Sequence, residues 1–156
     1  MKLEQGQELA ERIIDEIRSF CDRVEVAGSI RRRKSEVRDV DLVMIPKPLL
    51  RHRIIATLQR TINAKVLKRG DRVAQLVIDG VSVDLYSATK EDFAPLLFIR
   101  TGSAQSNMRL ASKARSIGLK FSHYGVFNGD ERVDDNTEEG IYRVLGLSYK
   151  PPEERE

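Results

Sequence analysis

The chain has 156 residues, a formal net charge of +3, 40% hydrophobic residues and a single cysteine. That length buries one modest core or two small lobes sharing an interface, and excludes two large independent domains. No apolar run approaches the roughly 20 residues of a membrane helix. The acidic, amphipathic N-terminus lacks the charged-then-apolar order of a signal peptide, and the lone Cys21 excludes an internal disulfide. A cytoplasmic protein without a membrane partner is the expectation.

The distribution of charge says more than its sum. No acid lies between Asp41 and Asp71, while Lys47, Arg51, Arg53, Arg60, Lys65, Lys68 and Arg69 are basic. A second acid-free span, 93–129, carries Arg100, Arg109, Lys113, Arg115 and Lys120. Segregation of this kind suits a surface that meets a polyanion, because each phosphate neutralised releases counterions.

In chain order, Leu9, Ile13, Ile14, Ile17, Phe20 and Cys21 recur at helical spacing, which predicts an amphipathic helix over 7–21 with Cys21 packed on its apolar face. A short strand, 24–27, delivers the chain to Gly28, and 31–38 is too charged for core and reads as a helical turn plus loop. A strand over 39–45 is closed by Pro46 and Pro48, and a second helix covers 49–62. Strands follow at 65–68, 73–79 and 81–86, the last two joined by Asp79-Gly80, a hairpin signal. Past Ser87 the character turns helical, placing a lobe boundary near 87–91. Helices are expected at 91–99 and 105–117, separated by Thr101-Gly102-Ser103 and stopped by Gly118. A hairpin around Asn128-Gly129 precedes a helix capped by Asn136 with Glu139 three residues on. Gly146 ends that helix, and Pro151-Pro152 with Glu153, Glu154 and Glu156 form a tail.

The chemistry concentrates in a few positions. Strand side chains alternate faces, so Asp39 and Asp41 point one way and Val40 and Leu42 the other. On the later strand Val81, Val83 and Leu85 face the core, which turns Ser82, Asp84 and Tyr86 toward the two aspartates. Neighbouring carboxylates repel unless a cation sits between them, and magnesium binds through one or two carboxylates plus substrate phosphates. Gly28 lets a backbone approach a phosphate closely, Ser29 adds a hydroxyl at the start of a helical turn, and Arg32 offers a planar charged fork. Taken alone, the run Arg31, Arg32, Arg33, Lys34 reads as a nucleic-acid or targeting patch. The two aspartates alone read as surface ion pairs worth at most about 1 kcal/mol each. Placement on an otherwise apolar strand argues against that second reading.

These features are collinear with a known pattern. Gly28-Ser29-x-Arg31-Arg32 to Asp39-Val40-Asp41, the Val83-Asp84-Leu85 strand, Thr101-Gly102-Ser103 with Asn107, Tyr124-Gly125-Val126-Phe127, and Ile141 to Leu147 followed by Pro151-Pro152 resemble the palm and thumb of family X DNA polymerases, the DNA polymerase beta family. The match covers nearly the whole chain and is similar to the short viral members. The resemblance implies an α+β fold: a nucleotidyltransferase palm of mixed sheet and helices over 1–88, then a small α+β thumb over 89–156. It implies that Asp39, Asp41 and Asp84 are catalytic and hold two magnesium ions, with manganese as a substitute, and that Asp84 lies by the primer 3′-hydroxyl. Gly28, Ser29, Arg32 and Arg38 then meet the triphosphate, and Thr101, Gly102, Ser103 and Asn107 line the sugar and base. Arg109, Lys113 and Arg115 face DNA. The implied partners are primer-template DNA with gaps or broken ends and deoxynucleoside triphosphates, the protein acting as a monomer in repair.

Departures from the pattern shape the expectation. Ile99-Arg100 stands where most relatives carry Tyr-Phe, which removes the usual check on a ribose 2′-hydroxyl; Arg38 stands at a frequent glycine; Ala111 replaces a common template-touching arginine. Loose fidelity is expected. The chain is also expected to lack the N-terminal helical regions of larger relatives, their lyase activity and their 5′-phosphate grip, so that binding is weak, salt-sensitive and distributive. Two rivals share these residues: a nucleotidyltransferase acting on RNA, protein or a small molecule, and a basic DNA-binding module without turnover.

Overall fold

The N-terminal apolar periodicity produces helix α1 (Leu3–Ile17), which buries Leu9, Ala10, Ile13 and Ile17. It ends earlier than the spacing suggests. A single 3-10 turn, Arg18–Phe20, intervenes, and Cys21 opens strand β1 (Cys21–Val26) instead of closing the helix. Its side chain is buried all the same, in the main core. The computed structural model describes residues 1–156.

One helical turn, α2 (Gly28–Arg31), separates β1 from β2 (Asp39–Pro46). Helix α3 (Arg51–Ile62) leads to β3 (Lys65–Arg69), β4 (Val73–Ile78) and β5 (Val81–Ser87). The five strands form one mixed sheet in the order β1-β2-β5-β4-β3, antiparallel throughout except for the central β2–β5 pair, which is parallel. Asp79 and Gly80 both take positive φ, 52° and 76°, the mirror-image turn that suits the twist of a two-residue hairpin.

The two faces of the sheet do different things. On one, Val40, Leu42, Met44, Val83 and Leu85 meet α1 and α3 in the main core. Each buried aliphatic side chain contributes about 2 kcal/mol. On the other, Val43 and Tyr86 are covered by α4 (Phe93–Thr101) through Phe93, Leu96 and Leu97. Asp41 and Asp84 share that second face by alternation, beyond the edge of the helix.

The C-terminal part continues with α5 (Ala104–Ser116), the three-stranded sheet β6 (Lys120–Ser122), β7 (Gly125–Asn128), β8 (Glu131–Arg132), and α6 (Glu138–Val144). Phe98 anchors its core with Leu110, Val126, Ile141 and Tyr142. Two expectations are corrected here. The cap of α6 is Thr137, whose hydroxyl accepts from the Gly140 amide at 2.9 Å, because Asn136 has φ 60° and donates its side-chain amide to the Lys90 carbonyl. The C-terminal segment is docked rather than a solvated tail. Its Arg155 is 1% exposed and lies over the rings of Phe98, Tyr142 and Tyr149, donating to Glu138 Oε1 at 2.7 Å and to the Lys150 carbonyl at 2.9 Å.

Glu138 also receives both terminal nitrogens of Arg31, at 2.8 and 2.7 Å, so it ties α2, α6 and the C-terminal segment together. Burial pushes its carboxyl up, but the Arg31 and Arg155 guanidinium groups outweigh burial and hold it below the usual range. A depressed carboxyl contributes stability above its unfolded-state pKa and loses it as pH falls through the folded value. Glu138→Gln is therefore expected to lower stability at pH 7 by about 2–3 kcal/mol, since it leaves the buried Arg155 and the partly buried Arg31 without their counter-charge. Urea unfolding at stepped pH checks this. The gap to the parent protein should close toward pH 3, and a constant gap would show that the ion pairs do not carry it.

Candidate active site

The parallel pairing of β2 and β5 sets Asp41 directly opposite Asp84, with Asp39 opposite Ser82. Paired residues of adjacent parallel strands point to the same face, so the expected convergence of Asp41 and Asp84 is present and Asp39 lies one step along the same face. Asp39 is exposed, while Asp41 and Asp84 are half-buried. Burial first, then the charges of Asp39 and Asp84, push the Asp41 carboxyl up to about 7 against the opposing pull of Arg100 and Arg32. Asp84 is raised as well. Burial and the Asp39 charge lift it, against a hydrogen bond from Tyr86 and the charge of Arg100.

The turn beside these carboxylates follows from a single backbone bond. The Ala27 amide donates to the Asp41 carbonyl at 2.8 Å, which carries Gly28 over the Asp41 side chain. Gly28 has φ 61°, and a Cβ there would overlap Asp41 Oδ2. Glycine is required twice over, by the left-handed backbone and by the contact. The next residue, Ser29, has a buried hydroxyl with no hydrogen-bond partner.

Gly28, Ser29, Arg32, Arg38, Asp39, Asp41, Gly102 and Ser103 all line one cleft of about 590 Å³, together with Arg100. Arg32 stands at its wall, donating to the Thr101 carbonyl at 2.8 Å and to Glu156 Oε1 at 3.2 Å. Asp84, Thr101 and Asn107 are not among the residues that line it. Thr101 is fully buried and its hydroxyl accepts from Arg31 at 2.8 Å, so its side chain supports the turn and does not reach the cleft. Ser103 caps α5 by accepting from the Ser106 amide at 3.0 Å. Asn107 donates to the Ile99 carbonyl at 2.8 Å, and its buried Oδ1 has no partner.

Of the basic residues expected on the helix, Arg109 and Lys113 line a second groove with Ser106, Ser148 and Lys150. Arg115 is exposed elsewhere and donates to Ser112 on its own helix. Lys150 and Arg100 were not singled out as binding residues by their positions in the sequence. The acid-free span and the departure from Tyr-Phe both mark Arg100, and nothing local marks Lys150.

The donor set suits a hard divalent cation, with one qualification. No three His, Cys, Asp or Glu side chains are drawn together at metal-holding geometry. What is present is a pair of adjacent carboxylates, a third nearby, and the orphaned Ser29 hydroxyl on the neighbouring turn. That matches an ion held by one or two carboxylates and completed by phosphate oxygens.

Comparison with known proteins agrees with this architecture. Residues 96–156 match the family model of the DNA polymerase beta thumb. The chain is 26% identical over 147 residues to the Repair DNA polymerase X of African swine fever virus (strain Badajoz 1971 Vero-adapted), a match spanning 89% of this chain and 84% of the viral protein. It is 31% identical over 140 residues to the DNA polymerase/3′-5′ exonuclease PolX of Bacillus subtilis (strain 168), spanning 83% of this chain but 24% of that protein. These matches indicate a nucleotidyltransferase DNA polymerase. The chain is similar to the family X DNA polymerases, and its match to the viral protein runs over most of both chains. No helix is long and apolar enough to cross a membrane.

A raised carboxyl has a stability consequence. The folded state holds the Asp41 proton more tightly than the unfolded chain does, so folding loses stability as pH rises from about 4 to 7. In chelator-treated protein, Asp41→Asn is expected to be more stable than the parent at pH 8, by about 1–2 kcal/mol after allowance for solvent screening. It should be no more stable at pH 4. Thermal unfolding at the two pH values reads the effect, and a less stable variant at pH 8 would mean that the charge is already compensated.

Proposed function

We propose that this chain is a magnesium-dependent DNA polymerase that adds deoxynucleotides to a primer 3′-hydroxyl by two-metal nucleotidyl transfer, filling short gaps or broken ends with low processivity. The observation that carries the reading is Asp41 facing Asp84 beneath the Gly28-Ser29 turn. Similarity to the viral repair polymerase supports a repair role.

Each side chain has a task in this scheme. Asp39 and Asp41 would hold the divalent ions, and Asp84 would complete the site on the side where the primer hydroxyl enters. Divalent ions bound there supply Lewis-acid stabilisation of the attacking and leaving oxygens. Gly28 gives the phosphates close access, the Ser29 hydroxyl donates to a phosphate oxygen, and Arg32 and Arg38 balance its charge. Gly102, Ser103 and Asn107 border the sugar and base, with Thr101 holding that turn in place. The carboxylates belong to a palm over 1–88, and a thumb over 89–156 presents Arg109, Lys113 and Arg115 to the DNA backbone as a monomer.

Asp84→Ala is expected to abolish primer extension on gapped DNA while circular dichroism and melting stay near those of the parent, because the half-buried residue belongs to neither hydrophobic cluster of the sheet. Extension surviving that change would falsify the mechanism. A second outcome concerns the duplex. Replacing both Arg109 and Lys113 with alanine should weaken binding to all DNA sequences alike and reduce the slope of log affinity against log salt by about 2. Fluorescence anisotropy over a salt series measures it, and an unchanged slope would remove the second groove from the DNA surface.

A further inference from the structure

Helix α4 delivers one side chain to the cleft that the scheme above leaves without a task. Arg100 lies in its last turn and lines the cleft with Asp39 and Asp41. It forms none of the chain's ion pairs. Its guanidinium carbon stands 4.3 Å from the centroid of the Tyr86 ring, within cation–π range. Tyr86 follows Asp84 by two residues on β5 and shares its face, and its hydroxyl donates to Asp84 Oδ2 at 3.3 Å. Three side chains thus form a line from the end of α4 to the carboxylate opposite Asp41.

We propose that Tyr86 and Arg100 are positioning residues for Asp84: the guanidinium clamps the phenol ring, and the phenol hydroxyl fixes one carboxylate oxygen so that the other is held beside Asp41. The inference rests on the reading of Asp84 as the carboxylate beside the primer hydroxyl. An aspartate's terminal torsion is broad and roughly two-fold, and this one sits among like charges that push it away from Asp41. The hydroxyl resists that push. The ring belongs to the same buried cluster as Val43, Phe93 and Leu96, and Arg100 stacks over it. Its charge also favours ionised Asp41 and Asp84.

The arrangement requires an arginine or its equivalent at position 100 together with an aromatic hydroxyl at position 86. Phenylalanine at 86 keeps the packing and the stack and loses only the grip on Asp84. Methionine at 100 keeps an aliphatic body over the ring and loses the charge.

Steady-state extension of a gapped primer-template by Tyr86→Phe, Arg100→Ala, Arg100→Met, Arg100→Lys and the Tyr86→Phe/Arg100→Ala double variant tests this, with Asp84→Asn alongside. Tyr86→Phe and Arg100→Ala are each expected to lower kcat about tenfold with KM for the nucleotide within about twofold, the mark of an interaction that acts on the chemical step. Arg100→Met should resemble Arg100→Ala, and Arg100→Lys should recover most of the loss. The double variant should be no worse than the poorer single, because both changes break one line of contact. Additive losses would overturn the proposal by showing that Arg100 acts apart from Tyr86. So would a raised nucleotide KM with kcat intact in Arg100→Ala, which would make Arg100 a direct grip on the triphosphate, or an unchanged kcat in both singles. If Asp84→Asn itself keeps the parent kcat, the reading of the site falls and this inference with it; an inactive Asp84→Asn beside unaffected Tyr86 and Arg100 variants sinks the inference alone.

Discussion

Two negative side chains face one another across the parallel pairing of β2 and β5, and the molecule is arranged so that they cannot move apart. Their strands are held in register by what lies on the opposite face, where Leu42 and Leu85 are register partners and both fully buried. A slip of one residue would expose that whole apolar row. Lifting Asp41 to about 7 corresponds to at most about 4 kcal/mol of strain, whereas five buried aliphatic side chains at about 2 kcal/mol each outweigh it comfortably. Hydrophobic register therefore holds an unfavourable electrostatic arrangement in place.

The second constraint is that one helix serves two cores. Helix α4 sends Phe93, Leu96 and Leu97 into the sheet beside Val43 and Tyr86, and Phe98 into the C-terminal core, where it meets Phe121 edge-on at 5.5 Å. Being covered on both sides, it shows no single apolar stripe. Its last turn is consequently the best-anchored wall of the cleft. The Thr101 carbonyl holds Arg32 and the Thr101 hydroxyl holds Arg31, while Arg100 reaches over Tyr86. Side chains on either side of one carbonyl thus divide between support and cleft.

What was legible in the sequence follows the same physics. Period-two alternation is a local signal, so the strands, the shared face of Asp39, Asp41, Asp84 and Tyr86, and the Asp79-Gly80 turn could all be read. Caps and ends depend on backbone angles that a residue type only favours. Asn136 looks like a cap, but its left-handed conformation passes the task to Thr137. Residues joined through space were least accessible. Glu138 meets Arg31 from 107 positions away, and the burial of Arg155 among three rings turns an apparently solvated acidic ending into a docked one. Thr101 fits a nucleotide-facing motif by spacing, yet its hydroxyl is consumed inside the protein.

The adjacent arginines of the Gly28–Arg32 stretch show how a short motif does two jobs. Consecutive residues of a helical turn diverge by roughly 100°, so Arg31 and Arg32 cannot serve the same partner. Arg31 turns inward and takes Glu138 with both terminal nitrogens, the geometry in which a guanidinium is most strongly held. Arg32 turns to the cleft wall. Since α2 is only four residues long, it has little rigidity of its own, and the inward arginine supplies what the helix lacks. The placement of Ser29 and Arg32 over the carboxylates is thereby inherited from a buried ion pair formed with the far end of the chain.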